Sequence, residues 1–117
     1  LVLYSSSLSI FQNASHFAVN VLATSQQALA NKFAKSSDDK FTGVKWVPGL
    51  GNAPLLAESV ANFQCRSVTR YYGGAHIIFL GAVEAYAYNR KEPLLFARGN
   101  YGRFVVGDAR HATDDPS

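Results

Sequence analysis

The run GGAHIIFLGAVEAYAY, residues 73–88, constrains this chain more than any other stretch. It is long and apolar, it alternates like a strand, and it opens on two glycines and a histidine. Residues 76–88 form the longest strand candidate in the chain. Gly81 interrupts it and is expected to mark a bulge. On the His76 side, spacing by two adds Ile78, Leu80 and Ala82, then Glu84 and Tyr86. A histidine that opens a strand after Gly-Gly is more often structural or exposed than catalytic, although His is also the commonest general acid/base. Periodicity leaves both readings of His76 open.

The surrounding pattern is largely β. Residues 1–4, LVLY, read as a strand, followed by a hydroxyl-rich loop, SSSLS. Residues 16–22, HFAVNVL, alternate Phe17, Val19 and Val21 and form a second strand, with Asn20 on the opposite face. Ser25 is placed to cap a helix over residues 26–35, with Leu29 and Phe33 towards the core and Lys32 within it. SSDD, residues 36–39, stops that helix. Residues 40–56 carry Pro48, Gly49, Gly51 and Pro54 and read as a loop whose apolar residues pack. In ANFQCRS, Ala61, Phe63 and Cys65 face one way and Asn62, Gln64 and Arg66 the other, the pattern of a one-side-buried antiparallel strand. Residues 71–75 form a turn, 89–92 a polar turn, 93–98 a further strand, and Gly99-Asn100 a last turn before Tyr101. The tail from 105 to 117 reads as solvated. Short strands, frequent turns and one helix make this a mainly β domain, a small barrel or sandwich with a helical addition.

At 117 residues the chain has the size of one domain, 1–117. It is 48% hydrophobic, enough for a core, though a small domain leaves much surface exposed and dimerisation is a natural remedy. The formal charge is only +3, without a basic block, so nucleic acid is not expected as a partner. The single cysteine, Cys65, excludes an internal disulfide and favours a reducing, cytoplasmic setting. No stretch has the length and apolarity of a membrane helix, and no signal-peptide pattern is visible. Because a chain rarely starts inside a core strand, further N-terminal strands are expected before Leu1.

PGLGNAP is not a dinucleotide fingerprint, since its glycines lead into a proline instead of a helix. There is no zinc-type Cys/His set and no GxSxG elbow, and no metal is expected. A serine-rich turn after a strand is able to bind an anion through hydroxyls and backbone N–H groups, but serine is also common in ordinary turns. Lys32 in a helix is commonly a solvated cation.

Taken in order, HFAVNVLATSQQALANKFA, the F-x-G-V-x-W of residues 41–46, PLL, ANFQCR, GGAHIIFLGAVEA and PLLFARGNYGRF resemble the flavin reductase-like family, the short-chain reductase components of two-component flavin monooxygenases. The resemblance runs to about Phe104. It implies an FMN-binding split β-barrel of Greek-key type with one or two flanking helices, usually a homodimer. It further implies hydride transfer from NADH or NADPH to FMN or FAD, with reduced flavin passed to a partner monooxygenase. By position it implies flavin contacts for Ser5, Ser6, Ser7, Ser9, Asn20 and Lys32. It places His76 and Tyr101 at the nicotinamide, with His76 as the catalytic candidate. Ala75 stands where the family carries Asp before that histidine, which favours a positioning role over proton transfer. The alternatives are an FMN-binding electron carrier and a non-catalytic split-barrel binding protein. A pyridoxamine-phosphate-oxidase type is disfavoured by the lack of an arginine set for a second phosphate.

Overall fold

The computed structural model describes residue 1, residues 7–35 and residues 39–107. In chain order its elements are α1 (Leu8–Asn13), β1 (His16–Val21), a 3-10 turn (Thr24–Gln26), α2 (Gln27–Ala34), β2 (Trp46–Pro48), β3 (Pro54–Leu56), β4 (Ala61–Gly73), β5 (His76–Tyr88), β6 (Leu94–Ala97) and β7 (Asn100–Arg103). All pairing is antiparallel: a sheet in the order β1-β4-β5, and two hairpins, β2–β3 and β6–β7.

The β4–β5 hairpin is the axis of the structure, with 13 residues in each strand. The ladder continues to Gly73 opposite His76, so only Gly74 and Ala75 turn the chain. Gly74 has φ +58° and Ala75 does not share the positive sign, the pattern of a two-residue primed turn that demands glycine first. The expected turn over 71–75 is therefore narrower, because Tyr71 and Tyr72 pair with Ile78 and Ile77. Two bulges bend the hairpin. Val68 is the extra residue on β4, between the pairs Ser67–Gly81 and Thr69–Leu80, and Glu84 is the extra residue on β5. Gly81 thus borders a bulge carried by the other strand.

Register sorts the sheet into two faces. Phe17, Val19 and Val21 share a face with Cys65, Phe63 and Ala61; His16, Ala18 and Asn20 share the other with Arg66, Gln64 and Asn62. Helix α1 covers one end of the first face, where Phe11 lies 6.4 Å from Phe17 and 5.8 Å from Phe79 between ring centroids. Ile77, at 1% exposure, is the most enclosed large side chain. The second face is covered by the segment around β2 and β3, which sequence assigns to a loop. Each of these strands has three residues, and Pro48 pairs with Pro54, so the breakers that hid them flank the hairpin's loop. The segment packs as expected through edge contacts of Phe33 on Phe41 (5.3 Å) and Phe41 on Trp46 (5.6 Å).

Helix α2 starts and ends one residue inside its expected limits, and Ser25 does not cap it. Buried Gln26 takes over: Oε1 accepts the Ala23 N–H at 2.8 Å and Nε2 donates to the Ala57 carbonyl at 2.8 Å. An amide offers both a donor and an acceptor over a longer reach than serine. The last hairpin turns at Arg98 and Gly99, both with positive φ, so Asn100 opens β7 instead of completing the turn. The hydroxyl-rich loop gives way to α1 from Leu8 onward. Ser5, Ser6, most of the LVLY strand, Ser36 to Asp38 of the helix stop and the end of the tail lie outside the described residues. Leu1 exchanges both backbone hydrogen bonds with Ile77 on the outer edge of β5, at 2.9 and 2.6 Å.

Candidate functional site

The polar chemistry of the sheet gathers where β1 begins, at the α1 end of the β4–β5 hairpin. His16 is the central group. Its Nε2 lies 3.0 Å from Glu84 Oε1, its Nδ1 lies 2.9 Å from Ser15 Oγ, and Arg66 Nε donates to Glu84 Oε2 at 3.4 Å. Spacing by two places Glu84 rightly on the His76 face, which is also the face of His16 and Arg66, but it fails at Tyr86, which the extra residue Glu84 returns to the Phe63 face; sequence reasoning missed the cluster itself. The signal was available only as three-strand register, which sets Arg66 between His16 on β1 and Ala82, two residues before Glu84, on β5.

Beside the cluster lies an open groove of about 580 Å³ lined by Gln12, Ser15, Arg66, Ser67, Thr69 and Arg70 among others. Strand β1 stops opposite Arg66, so β4 has no β1 partner from Val68 onward. Arg70 is held over the Phe79 ring, 6.0 Å from its centroid, and donates to the Gln12 carbonyl at 3.3 Å. A flavin mononucleotide or dinucleotide needs hydroxyl, backbone and cationic donors for its phosphate. The donors around α1 and this groove fit that need.

The residues expected to form the site are distributed unevenly. Ser7 precedes the first turn of α1 and Ser9 lies exposed within it. Lys32 Nζ donates to the Thr42 carbonyl, tying α2 to the following segment. Thr42 donates to Asp39 from its hydroxyl and its backbone N–H, and with Lys32 nearby this holds the Asp39 carboxyl below the usual carboxylate range. Asn20 spends its amide on β3: Nδ2 donates to the Pro54 carbonyl at 3.1 Å and Oδ1 accepts the Leu56 N–H at 3.0 Å. Asn20→Leu leaves the Leu56 N–H without its partner and should cost about 1–3 kcal/mol. Urea unfolding checks this; an unchanged midpoint removes the tether.

His76 closes the hairpin tip. It is exposed, with no hydrogen bond to its ring among the described residues. Tyr101 is half-buried against Phe96, with centroids 5.1 Å apart. The two do not meet. His76 is at one end of the 13 residues of β5, about 40 Å of strand at the ordinary rise. Hairpin β6–β7 joins the other end, where Leu94 N–H bonds the Leu22 carbonyl and Ala23 bridges Pro93.

Among the described residues no helix is long and apolar enough to cross a membrane. The family model for the flavin reductase like domain matches residues 3–104. The reductase subunit HsaB of a flavin-dependent monooxygenase from Rhodococcus jostii is 38% identical over 73% of this chain and 44% of its own length. The FMN reductase (NADH) SmoA of Agrobacterium fabrum is 32% identical over 80% of this chain and 53% of its own. The solved NADH:FAD oxidoreductase SgcE6 of Streptomyces globisporus superposes with a TM-score of 0.84 at 36% identity, over 90% of this chain and 65% of that one. The chain spans about half the length of the curated relatives it matches. Its mainly β, antiparallel architecture with two helices is the split-barrel fold of these reductases.

Proposed function

The chain belongs to the flavin reductase-like domain family, and on that premise we propose that the whole protein is an NAD(P)H:flavin oxidoreductase. It works as a cytoplasmic homodimer and supplies reduced FMN or FAD to a partner flavin-dependent monooxygenase. The observation that carries this reading is one family's match across residues 3–104, joined by relatives named as reductase components of monooxygenases.

Bound flavin supplies the redox chemistry, accepting hydride from the nicotinamide. The chain's own residues bind and orient. Ser5, Ser6, Ser7, Ser9 and Lys32 hold the phosphate end of the flavin. Asn20 acts through β3, fixing the wall against which the flavin lies. His76 and Tyr101 line the nicotinamide side. With Ala75 before it and, among the described residues, no carboxylate bonded to its ring, His76 positions the nicotinamide instead of moving a proton. Register separates His76 from Tyr101 within one chain, so a pocket containing both draws on two copies. The first face of the sheet supports that assembly. Beyond the reach of α1 it exposes Val19, Val83, Tyr86 and Tyr88, at 45–77% exposure, an apolar row suited to a second copy.

The test is oxidation of NADH and NADPH by the full-length protein with and without FMN or FAD. Turnover that rises and saturates with added flavin is expected. Tight flavin binding without turnover replaces the reading with an electron carrier, and no flavin binding replaces it with a binding protein.

A further inference from the structure

Ser15, His16 and Glu84 form a bonded series of hydroxyl, imidazole and carboxylate that the hydride-transfer reading does not use. His16 Nδ1 lies 2.9 Å from Ser15 Oγ, and His16 Nε2 lies 3.0 Å from Glu84 Oε1. An ionised carboxylate only accepts hydrogen bonds, so the proton of a neutral imidazole belongs on Nε2. That tautomer leaves the Nδ1 lone pair facing the Ser15 hydroxyl, the relation of a general base to a nucleophile, with a third group orienting the base. In the Ser-His-Asp triad the two ring nitrogens have the opposite assignment, but either nitrogen takes a proton in its own tautomer.

Local structure holds all three groups. The Ser15 carbonyl accepts the Ser67 N–H at 2.8 Å, which pins the serine to β4 just before β1 begins. The Gly51 backbone backs the imidazole so closely that a Cβ there would lie 2.5 Å from Nδ1. Arg66, the cross-strand partner of His16, donates from Nε to the second oxygen of Glu84 at 3.4 Å and limits its rotation. Exposure divides the roles. The His16 side chain is 21% exposed, whereas Ser15 is open to solvent. Ser15 and His16 both line the groove of about 580 Å³, together with Arg66 and Arg70, and among the described residues no acidic side chain lines it. The nucleophile therefore opens onto a space whose charge is cationic.

We propose that Ser15 and His16 form an esterase site, with Glu84 as its positioning residue, for carboxylic esters that carry a negative charge. Ser15 Oγ attacks the ester carbonyl carbon, and its proton passes to His16 Nδ1. The C–O bond to the leaving group breaks, and the same proton goes to the departing oxygen, which leaves an acyl-serine. Water then attacks the acyl carbon and gives a proton to Nδ1, and the C–Oγ bond breaks as Oγ takes that proton back. Nothing is oxidised or reduced, and water is the only co-reactant. Arg66 keeps N–H groups beyond the one it spends on Glu84, and these serve the negative charge of the substrate or of the tetrahedral intermediate. The site does not rest on the reductase reading.

The test is hydrolysis of 4-acetoxybenzoate and of its neutral methyl ester by the full-length protein, each compared with its own uncatalysed rate. Flavin and nicotinamide are left out, so the groove is open to the ester. The wild type accelerates both, the anionic ester by about tenfold more. Ser15→Ala and His16→Ala each lose about a hundredfold or more. Glu84→Gln lowers kcat about tenfold with KM unchanged. Mass spectrometry of the acid-quenched wild type finds the acetyl group on Ser15. No acceleration by the wild type, or full activity in Ser15→Ala, overturns the site. Equal acceleration of the two esters overturns the anionic substrate class, and a raised KM with unchanged kcat in Glu84→Gln overturns its positioning role. Thermal melts check folding. Where Ser15→Ala does not fold, a fluorophosphonate probe on the wild type decides: an adduct on Ser15 supports the site, and none there overturns it. Flavin reduction without ester hydrolysis sinks the esterase and spares the reductase, whereas ester hydrolysis without flavin reduction does the reverse.

Discussion

Gly81→Val should lower the stability of the protein by more than about 3 kcal/mol, and Gly81→Ala by about 1–3 kcal/mol. A Cβ built at Gly81 meets Phe17 Cζ at 2.6 Å and Cys65 Cβ at 2.9 Å. The Phe17 ring has some freedom to tilt, but Phe11 already lies against it. Cys65 Cβ has none, since it belongs to the buried middle of β4, where β1 and β5 pair on either side. The neighbouring bulge cannot absorb the methyl, because Val68 is inserted in β4 and leaves the Gly81 backbone in register with Ser67. Valine adds two more carbons and is forced into the same contact. Urea unfolding with one cooperative transition gives the ranking. An alanine variant within about 0.5 kcal/mol of wild type would show that the sheet opens at this point and that the contact is not part of the core.

Gly81 also illustrates what the sequence makes legible. The interrupted alternation of residues 76–88 marks a place where the ladder is irregular, and an irregularity is there. It does not reveal which strand carries the extra residue, since that depends on the partner's register. The same limit applies to the faces of β5. Both alternations are apolar, Ile78 and Leu80 on one side and Ile77 and Phe79 on the other. Only the fold decides that Ile77 is 1% exposed while Ile78 is 55% exposed. Short elements were hidden for a different reason. Helix α1 has six residues in a serine-rich context, and β2 and β3 have three residues each, next to prolines. Such elements are specified by packing and pairing more than by their own propensity. The His16–Glu84–Arg66 cluster draws one residue from each of three strands, so no linear spacing announces it. The family resemblance supplied the fold, and it left the arrangement of the candidate residues to the structure.

That arrangement leads to the sharpest functional prediction. His76→Ala and Tyr101→Ala variants of the full-length protein should each lose most flavin-dependent NADH oxidation, by tenfold or more in kcat/KM for the nicotinamide. Mixed together under conditions that allow subunits to exchange, they should regain roughly a quarter of wild-type activity. Half of the dimers formed at random are heterodimers. In each of these, one pocket has lost both side chains and the other has His76 from one copy and Tyr101 from the second, both intact. A pocket built within a single chain behaves differently, because every pocket in every dimer then carries one lesion and mixing restores nothing. The two outcomes therefore decide between a shared and a self-contained site, independently of how large each single loss is. The strand geometry favours the shared site: His76 ends one side of a 13-residue strand, and the hairpin of Tyr101 is bonded at Leu22 and Ala23 beyond the other. Recovery that disappears when Tyr86 and Tyr88 are replaced by serine would further locate the contact between copies on the stacked aromatic row, whose rings lie 6.5 Å apart and nearly parallel at 8°. Recovery that survives those replacements would move the interface elsewhere while leaving the shared pocket in place.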